Sequence, residues 1–246
     1  MTIKQEIEKF IDENKDLENA VFEKNIVRTN YQVFGVKTPI LDKFARNLAK
    51  KVENLQEMPK ENYEEVMLVG MTMCYKKTNN EEKIKDLKYF LPLIDCWGIC
   101  DSIVPRLKGL EKKKDFFIEL TKDKRTFFVR FAIVWLMRYN LKANLKETVE
   151  IVKRIDRNEY YIQMAKAWLM AEAFIYDFDY MIKVVSEEKD NFVQKKAITK
   201  AIESFRITKE QKQILKDLRE KLKKWWKSKK GIVPFFVWNY FYFILY

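Results

Sequence analysis

The sequence predicts an all-α protein, an α-solenoid (superhelix) of stacked helical hairpins with a concave basic face, and three observations carry that prediction. Apolar residues recur at helical spacing from the first turn onward, beginning with Ile3, Ile7, Phe10 and Ile11. Gly and Pro number only five each in 246 residues, too few breakers for the many short strands of a sandwich or barrel. Three segments also superimpose, Phe128-Val-Arg-Phe-Ala-Ile-Val-Trp135, Tyr161-Ile-Gln-Met-Ala-Lys-Ala-Trp168 and Phe192-Val-Gln-Lys-Lys-Ala-Ile-Thr199, at offsets of 33 and 31 residues. Each opens with an aromatic and a β-branched residue, and carries Arg130, Gln163 or Gln194 at its third place. Hairpins of this kind cannot bury their apolar faces alone. Stacking buries them, and the curvature of the stack leaves an extended concave surface. A bundle whose amphipathic helices resemble one another is the competing architecture.

Thirteen helices follow in order. The first two lie near 3–13 and 17–27. Pro39 and Pro59 stand near the starts of helices at 38–51 and 60–76, where a missing amide hydrogen costs little. Asn80 is a candidate N-cap for a helix at 81–93, and Pro92 and Pro105 end or bend the helices at 81–93 and 97–109. A helix near 113–122 precedes the three repeat helices at 126–139, 159–176 and 191–205, which alternate with shorter ones at 144–155 and 178–187. Thr208 and Gln211 form a capping box for the last, near 209–226. The expected division is a solenoid domain over 1–222 and a tail over 223–246.

Composition narrows the chemistry. The chain has no histidine, which removes Ser-His-Asp triads, Cys-His pairs, imidazole bases and His-ligated zinc. Forty-eight Lys and Arg against 36 Asp and Glu give a net charge of +12, a field that favours polyanions such as nucleic acid or anionic lipid. Cys74, Cys96 and Cys100 make neither a disulfide framework nor a metal knuckle, so a reducing compartment is expected. The opening MTIKQEIEKF lacks the features of a signal peptide, and no apolar run reaches ~18 residues, so a cytoplasmic location is expected.

Trp97 precedes Asp101 by four residues, one helical turn, so the indole and the carboxylate project from one face and set an apolar platform beside an anion. Taken alone, such a tryptophan is usually a core residue and such an aspartate usually a helix cap or dipole partner.

The segment Phe34-Gly-Val-Lys-Thr-Pro39 resembles an "FxGIxxPxRR" signature, and Trp97-Gly-Ile-Cys-Asp-Ser-Ile-Val-Pro105 a "WDxVDxxxP" helix. These motifs, followed in the same order by the helices of Arg130 and Trp168, resemble the AlkD-type family of HEAT-like repeat DNA alkylation repair glycosylases over roughly residues 20–220. The resemblance maps Trp97, Asp101 and Trp168 to the family's catalytic cleft, with Arg130 beside them contacting backbone phosphate. It implies an enzyme that releases N3- or N7-alkylated purines from duplex DNA without a deep base-flipping pocket, as a monomer and with no cofactor.

The implied chemistry suits a chain without histidine. A cationic purine leaves as a neutral base and needs no general acid, while Asp101 would face the oxocarbenium ion developing at C1′ and orient a water. The two tryptophans would favour cationic groups through their π faces. Lys195, Lys196 and Lys200 could face phosphates or form a solvated helix face. Arg206, in a segment that resembles the family's "SxRI" helix end, is open to the roles of phosphate contact and helix-terminal charge.

The chain departs from the family pattern at Cys96, Gly98, Ala171 and Ile26, and Pro39-Ile-Leu-Asp42 replaces the basic pair. These departures keep a second reading open, a non-catalytic protein for damaged or branched DNA. The tail raises a third. Residues 219–230 carry seven basic residues and one acid, and Ile232–Tyr246 has eight aromatics and no charge. Such a sequence fits a membrane interface, a hydrophobic cap packed back on the solenoid, or a strand.

Overall fold

Helices form all the regular structure of residues 1–230, the part of the chain that the computed structural model describes, with side chains described through Lys223. They are α1 (Ile3–Asn14), α2 (Leu17–Val27), α3 (Thr38–Leu48), α4 (Tyr63–Tyr75), α5 (Asn80–Phe90), α6 (Trp97–Ile103), α7 (Lys114–Leu120), α8 (Thr126–Tyr139), α9 (Leu145–Lys153), α10 (Tyr160–Ala173), α11 (Phe178–Ser186), α12 (Asn191–Glu203) and α13 (Lys209–Lys230). Among the described residues the one β feature is an isolated bridge between Gln32 and Asn62. Each of the thirteen expected helices is present. The aromatic part of the tail lies outside the described residues, and α13 runs through position 222 to Lys230.

The differences are at helix ends. Asn79, not Asn80, caps α5, its side chain accepting from the amides of Glu81 and Glu82. The fourth helix starts at Tyr63 rather than near 60, because Asn62 and Glu65 close a capping box there, while Pro59 follows a 3-10 turn at Leu55–Glu57. Pro92 and Pro105 each sit in a 3-10 turn, Leu91–Leu93 and Val104–Arg106, so α5 and α6 tighten and stop earlier than expected. The Thr208–Gln211 capping box is formed.

The packing follows from how apolar each helix is. In α4 every residue from Tyr63 to Cys74 is buried, and α8 is buried without a break from Phe128 to Leu136. Helices that are apolar all round must be covered on all sides. They form an inner row in which α4 contacts α6, α6 contacts α8, α8 contacts α10, and α10 contacts α12. Two-faced helices flank that row: α9 buries only Thr148, Val149 and Val152, and α11 only Met181, Val184 and Val185. Helices packed in chain order on their next-but-one neighbours are consistent with an α-solenoid. Trp135 belongs to this interior, fully buried and stacked on Phe117 at 3.8 Å.

The third-place residues of the three similar segments reach across these packing boundaries. Gln163 on α10 donates to Asp190, the N-cap of α12, at 2.8 Å. Gln194 on α12 donates to the Val185 carbonyl in the last turn of α11 at 2.7 Å. Arg130 on α8 bridges α6 and α10, and that bridge is the centre of the site. Among the described residues no helix is long and apolar enough to cross a membrane.

Candidate functional site

The site is built around α6, and the chain enters α6 through a latch to the end of α2. The Asp95 carboxylate accepts from the Thr29 hydroxyl at 2.7 and 2.9 Å and from the Asn30 amide at 2.6 Å. Trp97 then donates its indole N–H to the Ile26 carbonyl at 3.2 Å, satisfying one of the orphan acceptors of a helix C-terminus. Gly98 permits this approach. A Cβ there would fall 2.7 Å from Val27 Cγ1 and 2.9 Å from the Tyr63 hydroxyl. Trp97 is consequently half-buried and held at the start of α6, one turn before Asp101.

Asp101 and Arg130 meet as a forked ion pair. Arg130 Nε donates to Oδ1 at 3.0 Å and Nη2 to Oδ2 at 2.6 Å, while Nη1 donates to the Tyr161 carbonyl at 2.9 Å. The guanidinium side chain is 7% exposed and the carboxylate 14%. Burial works against the charge on Arg130, but the hydrogen bonds and charge of Asp101 outweigh it and hold the guanidinium above its ordinary value. One side chain on α8 therefore sets the position of a carboxylate on α6 against the first turn of α10. Trp168, half-buried against the core, lies seven residues beyond Tyr161 on α10, about two turns along the same face.

The arrangement gives the sequence-identified residues different standing. Asp101 and Arg130 are in direct contact, and Trp97 shares α6 with Asp101. Arg130 differs from the expected phosphate fork. Three of its five N–H groups are engaged by Asp101 and Tyr161, and its side chain is nearly covered. Asp101 retains acceptor capacity, since a carboxylate offers about four lone-pair sites and the fork occupies two.

Phe34-Gly-Val-Lys-Thr-Pro39 turns out to be scaffolding for this region. Gly35 takes φ 81°, and a Cβ there would lie 2.1 Å from the Asp16 carbonyl oxygen, so glycine is required. The buried Glu64 Oε1 accepts from the amides of Phe34, Gly35 and Val36 at 2.9, 2.7 and 3.3 Å. Burial raises the Glu64 carboxyl, with those amides opposing the shift. Next to this turn a cavity of about 310 Å³ opens between α2, the start of α3 and Trp97, with Glu23, Phe22 and Lys37 in its wall. Burial, then the charge of Glu64, raises the Glu23 carboxyl.

The family model described as "DNA alkylation repair enzyme" matches residues 3–205 of this chain. The chain belongs to that family. No curated protein matches it significantly. The matched span contains every element of the constellation just described, from the α2 latch through Trp97, Asp101 and Arg130 to Trp168. Membership of that family suggests a role in the repair of alkylated DNA.

The outlying cations are disposed less uniformly than a single phosphate-binding face requires. Lys195 is exposed and Lys200 half-buried on α12, whereas the Lys196 ammonium sits 5.6 Å from the centroid of the Phe192 ring. Arg206 is paired with Glu172 on α10, so it also ties the end of the α12 segment to α10. Asp42, standing where the family signature has a basic residue, is held by Arg106 at 2.6 Å and Arg46 at 3.0 Å. Sequence reasoning missed Tyr161, whose role is carried by its backbone carbonyl, and Glu23, which no motif marks. It also missed Arg28, the left-handed residue that ends α2.

Proposed function

We propose that the protein is a DNA glycosylase that releases positively charged N3- and N7-alkylated purines from duplex DNA, working as a HEAT-like α-solenoid over residues 1–222. The observation that carries this reading is the Asp101 carboxylate, one turn from Trp97 and fixed by the Arg130 fork within a chain of the alkylation repair family. A carboxylate fixed in this way is preorganised to stabilise charge that appears only as the glycosidic bond breaks. Acceptor capacity beyond the fork suits a water directed at C1′. A lesion that already carries positive charge leaves without protonation, so no acid is needed on the leaving-group side. Trp97 and Trp168 supply the apolar, cation-attracting walls. The concave face would carry the duplex, with Lys195 and Lys200 toward its backbone.

The same pairing is the observation that favours the second reading. A carboxylate whose two oxygens both accept from a buried arginine is also a sound structural strut, and a DNA-binding protein without hydrolysis would retain it. One assay separates the two. Purified protein incubated with duplex DNA containing N7-methylguanine is expected to release free base above the uncatalysed rate, and Asp101→Asn is expected to abolish that release. Wild-type release at the background rate, with duplex binding intact, would leave only the binding module.

A further inference from the structure

The Arg130 fork is committed to Asp101 and Tyr161, so a DNA backbone passing over Asp101 needs another cation. Arg28 is placed for it. It is exposed, and no hydrogen bond or ion pair to its guanidinium occurs among the described residues. By contrast, Arg106, Arg125, Arg157 and Arg206 are each paired with a carboxylate. The backbone around Arg28 is fastened on both sides to the segment that leads into α6. Ile26 accepts from the Trp97 indole, and Thr29 and Asn30 donate to Asp95. The backbone at position 28 is therefore tied to the start of α6, one turn before Asp101.

Its backbone is the second observation. Arg28 ends α2 at φ 55° and ψ 41°, and it is the one non-glycine residue with positive φ among the described residues. That conformation is ordinarily left to Gly or Asn at a helix end. An arginine kept where glycine would be easier points to a use for its side chain. Its charge opposes the rise that burial gives the Tyr161 phenol, as does that of Arg130. Arg28, Arg130 and Asp101 together carry one net positive charge, and the exposed member is Arg28.

We propose that Arg28 is the backbone-phosphate contact that seats the DNA strand over Asp101, the role that the family resemblance implies for Arg130. This rests on the reading of the protein as a duplex-DNA enzyme. A phosphate contact carries no base information, so Arg28 affects methylated and unmethylated duplex alike. Where base is released, the loss falls on KM rather than kcat, because the contact is made equally before and during bond breaking.

The test measures Kd against salt for the full-length protein with an N7-methylguanine duplex and its unmethylated counterpart. Arg28→Gly relieves the left-handed backbone, so its Tm should equal or exceed that of wild type, which separates lost contact from lost fold. Its log-log salt slope should drop by about 0.9, the value for one phosphate contact, while Arg28→Lys should keep the wild-type slope. Arg138→Ala, at the far end of α8, should also keep it. An unchanged slope in Arg28→Gly, or an equal drop in Arg138→Ala, overturns the assignment and leaves the glycosylase reading in place. Absence of any duplex binding by wild type overturns both.

Discussion

Removing one member of the Asp101–Arg130 pair should injure the fold as well as the chemistry. In Asp101→Asn, the amide that replaces one oxygen faces an N–H of Arg130, donor against donor, with the guanidinium still 93% covered by the surrounding helices. Breaking a buried pair from one side typically costs about 3–5 kcal/mol, because it strands the other charge. For a chain of this size each kcal/mol corresponds to roughly 2–4 °C in Tm, so a fall on the order of 10 °C is expected. Arg130→Gln should cost a similar amount, stranding Asp101 and leaving the Tyr161 carbonyl without its donor. The double variant Asp101→Asn/Arg130→Gln strands no charge, since two amides can bond each other, and should be more stable than the sum of the single losses by about 2–3 kcal/mol. Urea denaturation of the four proteins measures this directly. Losses that add to within about 0.5 kcal/mol would refute a coupled pair. The same double variant should release no base, which separates the catalytic need for a carboxylate from the structural need for a partner.

Two further outcomes test the surroundings of the site. Gly98→Ala places a methyl group 2.7 Å from Val27 and 2.9 Å from the Tyr63 hydroxyl, so it should lower stability by about 1–3 kcal/mol and pry Trp97 from Ile26, seen as lost base release in a still-folded protein. Glu64 has a folded-state pKa raised by burial, so its contribution to stability is present below the ordinary glutamate range and fades as pH rises through the raised value. Glu64→Gln, which keeps an oxygen for the Phe34, Gly35 and Val36 amides, should accordingly gain on wild type as pH rises above the ordinary glutamate range in denaturation experiments, and a pH-independent gap would contradict the burial argument.

The helices were legible because their signals are local. Spacing of apolar residues marks most of the helices, and the Thr208–Gln211 box marks the start of the last. What the sequence concealed is relational. Nothing near Arg130 announces that its fork closes on a carboxylate 29 residues earlier, and the side chain reads equally well as a phosphate contact. Pro59 misplaces the start of α4 because the decisive bond, Asn62 to Glu65, lies three residues further on. Helix α2 shows a different gap. Its apolar residues fall on nearly every side, so periodicity names no buried face, and Leu17, Val21, Phe22 and Ile26 are 69%, 65%, 65% and 44% exposed. The family motifs lead to residues that meet in space, Asp101 with Arg130, whereas the Phe34–Pro39 signature holds the backbone through Glu64 and Gly35.

The cost of the ion pair itself indicates what it is for. Withdrawing two charges from water is expensive, and well-packed apolar residues in their place commonly stabilise a fold as much or more. Stability is thus a poor reason to keep Arg130 among Phe128, Val129, Phe131 and Ala132, all buried on the same helix. Geometry is a better one. Arg130 stands on the middle helix of α6, α8 and α10 and bonds to both neighbours, so Asp101 is located by the register of three helices rather than by its own rotamer alone. Trp97 is fixed independently by α2, through Ile26. An indole and a carboxylate one turn apart on a short helix, each held by a different neighbour, would keep their spacing against a bound duplex. The proposed reaction, governed by the placement of one negative charge, would require that.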